Sequence, residues 1–301
     1  MKWRRLIAIL AVLTIFAAAC GSDDDESSTS GTDTGDDVST DDSATDDSAT
    51  DDDSATDDTA TSDSTAGQGG NLLLLQWQAP SLANGYLSAG TKDIQAAALV
   101  AEPLGWIAPD GSVAPALAAE VPTESNGGIS ADLTSITWTL QEGLVFSDGT
   151  PVLASDAVFS WEYCVAEGSG CTSTDSFAGV TSVEAIDDLT IKITFDSPTP
   201  YPYLPFVGGK SPILQAAQFA DCVGAAAISC SEENFAPIGT GPYMVTELRP
   251  EDTVLYEYTP LYRGAAEGKP YFGTVEIKGG GDAEATARSV LEIGEADYAW
   301  N

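Results

Sequence analysis

The side chains able to do chemistry in this 301-residue chain are five cysteines and 47 carboxylates, and there is no histidine. Without histidine, Ser-His-Asp and Cys-His nucleophile systems and His-ligated zinc are excluded. Cys20 stands apart, directly after Ala17-Ala18-Ala19; Cys164, Cys171, Cys222 and Cys230 lie far downstream. An even set of four in an exported protein reads as two disulfides. Three connectivities are open, and the local pairs Cys164–Cys171 and Cys222–Cys230 are the simplest, each closing a small loop. A zinc site made by the four thiolates would need a C-x2-C spacing that is absent, so no metal is expected. Asp187-Asp188 could be an acid/base pair, but adjacent strand residues point to opposite faces, and the pair reads as a hairpin turn. No other carboxylate pair stands out from the acidic background. A carboxylate-dependent surface hydrolase is therefore a minor alternative, and the chain is read as a non-enzyme with no cofactor.

The formal net charge is −36, with 11 Lys and Arg. Such a chain repels phosphate backbones, so no nucleic-acid partner is expected. Lys2, Arg4 and Arg5 precede an apolar run from Leu6 to Ala19. The run is short of the ~20 residues that span a bilayer and fits a secretory signal. It ends in Ala17-Ala18-Ala19-Cys20-Gly21, which resembles a bacterial lipobox. Residues 1–19 are accordingly read as a lipoprotein signal peptide and Cys20 as the lipidated residue. Two acyl chains suffice for stable anchoring, here to the outer face of the cytoplasmic membrane. Residues 20–70 read as a disordered tether. Of residues 21–70, 37 of 50 are Asp, Glu, Ser or Thr, and Asp-Asp-Ser-Ala-Thr recurs at 41–45, 46–50 and 52–56. Val38 is its one sizeable apolar residue, so there is nothing to bury. The Asp runs do not form a calcium loop, because no Asp-x-Asp-x-Asp-Gly closed by a distal Glu is present.

A folded body is expected over residues 71–301. Leu72–Trp77 reads as a buried strand and Thr91–Ala101 as a helix stopped by Pro103. Ser135–Leu140 alternates around Ile136, Trp138 and Leu140, the pattern of a half-buried strand. Ser155 is placed to cap a helix through Ala157, Val158, Phe159 and Trp161. Val180–Ile186 and Leu189–Phe195 form a hairpin; Tyr243–Leu248 and Thr253–Tyr258 form another around Arg249-Pro250-Glu251-Asp252. Val275–Lys278 is a further strand and Asp282–Glu292 a helix. Strands and helices mix without regular βαβ spacing, so the class is α/β in an irregular α+β mixture.

Several stretches, taken in order, resemble extracellular solute-binding proteins of family 5, the peptide- and nickel-binding receptors of ABC importers. Ala101-Glu102-Pro103-Leu104, Pro109-Asp110-Gly111 and Ala114-Pro115-Ala116-Leu117-Ala118 look like the family's opening. Ile136-Thr137-Trp138-Thr139-Leu140-Gln141-Glu142-Gly143, then Phe146-Ser147-Asp148-Gly149-Thr150-Pro151 and Ala154-Ser155-Asp156-Ala157-Val158, are similar to its most diagnostic block. Ile238-Gly239-Thr240-Gly241-Pro242-Tyr243 resembles its GTGPY turn, and Gly294-Glu295-Ala296-Asp297 its GExD helix exit. Locally these are turns and caps, so they read as scaffold. Two departures stand out: Gln141 occupies a normally basic position, and Asn126–Ser130 looks inserted.

The resemblance implies a periplasmic-binding-protein type II-like fold and a receptor that closes two lobes on a peptide or similar small solute and passes it to an ABC permease. It implies that the segments after the first strand and after GExD line the cleft: Trp77, Gln78, Ser81, Leu82, Ala83, Trp300 and Asn301. It also implies that the sequence carries the first lobe and its insert, with the second lobe missing, and that this chain alone binds peptide weakly. A ligand-sensing lipoprotein of the same fold, without a transport role, is the alternative.

Overall fold

The computed structural model describes residues 65–279 and 281–300. The expected signal peptide, Cys20, the expected tether as far as residue 64, and Asn301 lie outside the described residues.

One unit is a five-stranded sheet with a helix against it. Its strands are β1 (Asn71–Gln76), β7 (Tyr243–Arg249), β8 (Thr253–Tyr258), β9 (Thr274–Gly279) and β10 (Tyr298–Trp300). The order is β10-β1-β9-β8-β7; β1 runs parallel to both β9 and β10, and the remaining pairs are antiparallel. Alternation decides which face is buried. Val254 and Tyr256 on β8, and Val275 and Ile277 on β9, turn inward onto Ala96 of α1 (Thr91–Ala98) and onto Val100 just beyond it. The Tyr256 hydroxyl donates to Ala96 O at 3.2 Å, pinning helix to sheet.

The second unit carries the larger core. Strands β4 (Ser135–Thr139), β5 (Val180–Ala185) and β6 (Thr190–Phe195) form an antiparallel sheet in the order β4-β6-β5. Ile191, Ile193 and Phe195 of the central strand alternate inward with Ile136 and Trp138, and α2 (Ala154–Val165) packs on them. A small hairpin, β2 (Gly105–Ile107) with β3 (Val113–Pro115), was not foreseen from the sequence.

Three details differ from the sequence expectations. Helix α2 starts at Ala154 with Leu153 as its cap residue, so Ser155 does not cap it; Asp156 does the work, its Oδ2 accepting from the Leu153 N–H at 2.9 Å. The expected helix over 282–292 runs over Ala283–Arg288, capped by the Asp282 carboxylate, and is followed by a wider turn over Ser289–Ile293. Residues 65–70 belong to the folded body and not to the tether. Gly67 and Gly69 donate to Pro270 O and Tyr271 O at 2.8 Å each, and Ala66 is buried. Backbone hydrogen bonds hold this segment, so its Gly-Gln-Gly-Gly composition conceals it.

Candidate functional site

Three parallel strands end side by side. β1 delivers Trp77 and Gln78, β9 delivers Gly279 and, after one residue, Gly281, and β10 ends at Trp300. In open α/β sheets ligands bind in the crevice beyond such carboxyl ends. A cavity of about 330 Å³ lies here, bordered by Trp77, Gln78, Lys92, Glu251, Gly279 and Gly281. A smaller one of about 130 Å³ shares Trp77, Gln78 and Lys92, and adds Trp300 and the first residues of α1. Trp77 is 48% exposed. That decides against a core role for its ring and leaves it as an open aromatic wall.

Lys92 is the cation of this site. Its Nζ donates to Ser81 Oγ at 2.6 Å and to Asp93 Oδ1 at 2.9 Å. Asp93 is 3% exposed and accepts in addition from the Ser81 N–H and the Ser88 hydroxyl, each at 2.6 Å. A lysine in the first turn opposes the helix dipole, at a cost of about 0.3–1 kcal/mol. On the far rim, Glu251 has φ of 64° and donates its N–H to Pro80 O at 2.9 Å, tying the β7–β8 turn to the loop after β1.

Of the residues expected at the cleft, the structure brings Trp77, Gln78 and Trp300 together. Ser81 lies behind them, where it brackets Lys92 and Asp93. Leu82 is half-buried and borders neither cavity. Ala83 is fully buried with its N–H donated to Asn234 O, so it offers nothing to a ligand. The chain turns inward there because of Asn84, whose Nδ2 donates to both Tyr163 OH and Asn234 Oδ1. Lys92 and Glu251 were not read from the sequence; a lone lysine in the first turn of a helix was the available signal.

A third groove, of about 300 Å³, is apolar and runs along β10 and α1 past Leu74, Leu99, Ile277 and Trp300. Gln76, 3% exposed, borders it; its Nε2 donates to Gln95 Oε1, while its own Oε1 has no hydrogen-bond partner.

Comparison with known proteins identifies the scaffold that carries this cleft. Residues 112–301 match the family described as bacterial extracellular solute-binding proteins, family 5 middle. The chain belongs to this family. Protein XP55 of Streptomyces lividans is 31% identical over 150 residues, covering 50% of this chain and 25% of XP55. The probable D,D-dipeptide-binding periplasmic protein DdpA of Escherichia coli is 30% identical over 171 residues, covering 56% of this chain and 31% of DdpA. The crystal structure of Haemophilus influenzae OppA in complex with RPPGFSPFR superposes with a TM-score of 0.66 at 18% identity, over 78% of this chain and 47% of OppA. The fold is thus that of the type II periplasmic binding proteins. The chain spans about a quarter to a third of the length of these curated relatives.

In this family 5 chain the motif residues build scaffold. Glu102, buried in the opening motif, is gripped by Arg263, with Nη2 to Oε1 at 2.8 Å and Nη1 to Oε2. Burial alone would lower the Arg263 pKa, but the Glu102 carboxylate outweighs it and the net shift is upward. Gly239 and Gly241 of the GTGPY turn lie so close to the Val100 and Leu99 carbonyls that a Cβ on either would overlap them. Asp297 of the helix exit accepts from the Leu73 N–H through Oδ2 at 2.8 Å and donates its own N–H to Leu73 O, which launches β10 beside β1. Gln141, at the normally basic position, donates to Ala116 O and Ala118 O. Asp187 accepts from the Leu189 and Thr190 N–H groups, which hold its carboxyl below its ordinary pKa; it is a turn residue.

Cys164 is joined to Cys171 and Cys222 to Cys230, with Cα separations of 5.1 and 5.9 Å. Cys222, Cys230 and Glu233 bring their ligand atoms within 4.8 Å of one another. Because the two sulfurs are bonded to each other, a single carboxylate is left, which does not make a metal site. Among the described residues no helix is long and apolar enough to cross a membrane.

Proposed function

We propose that this chain is the solute-recognising part of a substrate-binding lipoprotein that serves an ABC importer and captures extracellular peptides or similar small solutes. The observation that carries the reading is the open cleft at the ends of three parallel strands, walled by Trp77 and Trp300 and floored by backbone and polar groups. Aromatic walls with a few fixed polar groups suit a ligand of variable side chains and constant main chain. The names of the relatives support the peptide class: one is a probable D,D-dipeptide-binding protein and another was crystallised with a nonapeptide. Cys20 is the anchoring residue in this reading, and a permease is the partner that receives the solute.

Tryptophan fluorescence of the purified chain, titrated with a library of tripeptides, tests the recognition step. Saturable quenching that is weakened about tenfold or more by Trp300→Ala is the expected result, and an unresponsive spectrum refutes it. Fractionating cells that carry Cys20→Ala tests the anchor, since a variant that stays with the membranes as the unaltered protein does removes the lipoprotein assignment.

A further inference from the structure

Lys92 sits where sequence and structure disagree about charge. It is the second residue of α1, at the helix end that disfavours a cation, in a chain whose net charge is −36. Gly90 at the cap position supplies no side chain, and Asp93 in the same turn is the acidic group that offsets the cation. The Lys92 ammonium is held locally by Ser81 Oγ and Asp93, and what singles Lys92 out is its place at the cavity wall. The Lys92 side chain is 17% exposed and borders both cavities at the strand ends. Asp93 accepts from the ammonium through both carboxylate oxygens, at 2.9 and 3.1 Å. Its carboxylate is already shared among the Ser81 N–H, the Ser88 hydroxyl and Lys92, so it holds the ammonium in place at the cavity wall.

A second, independent feature lies alongside. Gln76 faces Trp300 in the β1–β10 register, and its buried Oε1 lacks a donor. It borders the apolar groove, which shares Trp300 with the Lys92 cavity. Trp300 thus borders both the cavity that holds the ammonium and the groove that holds the unsatisfied carbonyl, a pairing that suits a ligand with an anionic end followed by a hydrogen-bond donor.

We propose that Lys92 is the anchor for a terminal carboxylate of the captured solute, and that Gln76 Oε1 receives an N–H from the same molecule. The solute class is a peptide, or an N-acylated amino acid, with a free carboxyl end. The inference rests on the solute-binding reading above and adds a polarity to it. The ligand enters this lobe carboxylate first, with its last side chain between the two indoles.

The test uses the 301-residue chain and two probes, a library of free-acid tripeptides and the same library as carboxyl-terminal amides, titrated at pH 7 by calorimetry. The free acids are expected to bind at least about tenfold tighter, with the preference shrinking as salt is raised. Lys92→Met should weaken acid binding to the amide level and leave amide binding unchanged, while Lys92→Arg keeps the preference. Gln76→Leu should weaken both libraries alike. Equal binding of acids and amides by the unaltered chain overturns the inference while the solute-binding reading stands. So does a Lys92→Met variant that loses both equally, which would mark Lys92 as a structural prop for Ser81 and Asp93. Binding of neither library overturns the peptide reading and this inference with it.

Discussion

Replacing Arg263 with Met strands the Glu102 carboxylate in a nearly dry site. The Glu102 side chain is 6% exposed and the guanidinium beside it 29%. Removing one partner of a buried pair costs about 3–5 kcal/mol, because a charge remains with nothing to offset its lost hydration. Arg263 retains some solvent contact, and water entering through its vacated volume relieves part of that, so we expect about 2–3 kcal/mol for Arg263→Met. With a urea slope of about 1–3 kcal/mol/M, the unfolding midpoint should fall by roughly 1 M. The double-mutant cycle carries the decisive arm. Adding Glu102→Gln to Arg263→Met replaces the stranded charge with a neutral amide and should restore about 1 kcal/mol or more. Urea denaturation with the disulfides intact, followed by far-ultraviolet circular dichroism, measures both. A loss below about 0.5 kcal/mol for Arg263→Met, or no recovery in the double variant, would refute the claim that this pair fastens the opening motif to the segment before β9.

Two further outcomes follow from the same reasoning. Replacing Cys164 and Cys171 together with Ser should lower stability by about 2.5 kcal/mol, the chain-entropy value for so short a loop, read as a shift in the same urea curve; a shift under ~1 kcal/mol would show that the reduced loop is already held by its packing. Asp148 should contribute to acid unfolding: burial works to raise its pKa, but donors from Thr150 and Gln215 outweigh it and the net shift is downward. A depressed carboxyl gives stability that is in place above its ordinary pKa of about 3.8 and is lost as the pH falls through the lower folded value. Asp148→Asn should therefore flatten the stability profile below about pH 4, and an unchanged acid limb in urea midpoints would count against it.

What could be read from the sequence follows from how local each signal is. The hairpin β5–β6 was legible because alternation and an Asp-Asp turn lie within sixteen residues, and β7–β8 was legible for the same reason. β10 was not, since three residues carry no period and the strand exists only by pairing with β1, more than 220 residues away. The α2 cap was misassigned because Ser155 and Asp156 are both capping types, and only the fold shows which side chain meets the Leu153 and Ala216 N–H groups. Trp77, Gln78 and Trp300 were named through the family resemblance, and they converge. Ser81, Leu82 and Ala83 were named through the same resemblance, as members of one segment, and border neither cavity because Asn84 turns the chain into the core. Lys92 reaches the site from a helix fourteen residues beyond Gln78, a placement that needs the α1-on-sheet packing to become visible.

The strand at the amino end of the body has no near neighbour in sequence. Asn71 pairs with Thr274, and Leu73 is bonded to Asp297 across 224 positions. Each doubling of a closed loop adds about 0.6 kcal/mol, so joining segments ~200 residues apart costs about 2 kcal/mol more than joining segments ~20 apart. Under the export proposed above, amino end first, this imposes a schedule. β1 emerges early yet has nothing to pair with until β9 has followed it through the membrane, whereas β4, β5 and β6 need only a stretch of some sixty residues. The most apolar run of the body, Leu72 to Leu75, must therefore wait unpartnered while most of the chain is still in transit, and a holdase at the exit would find its first client segment there.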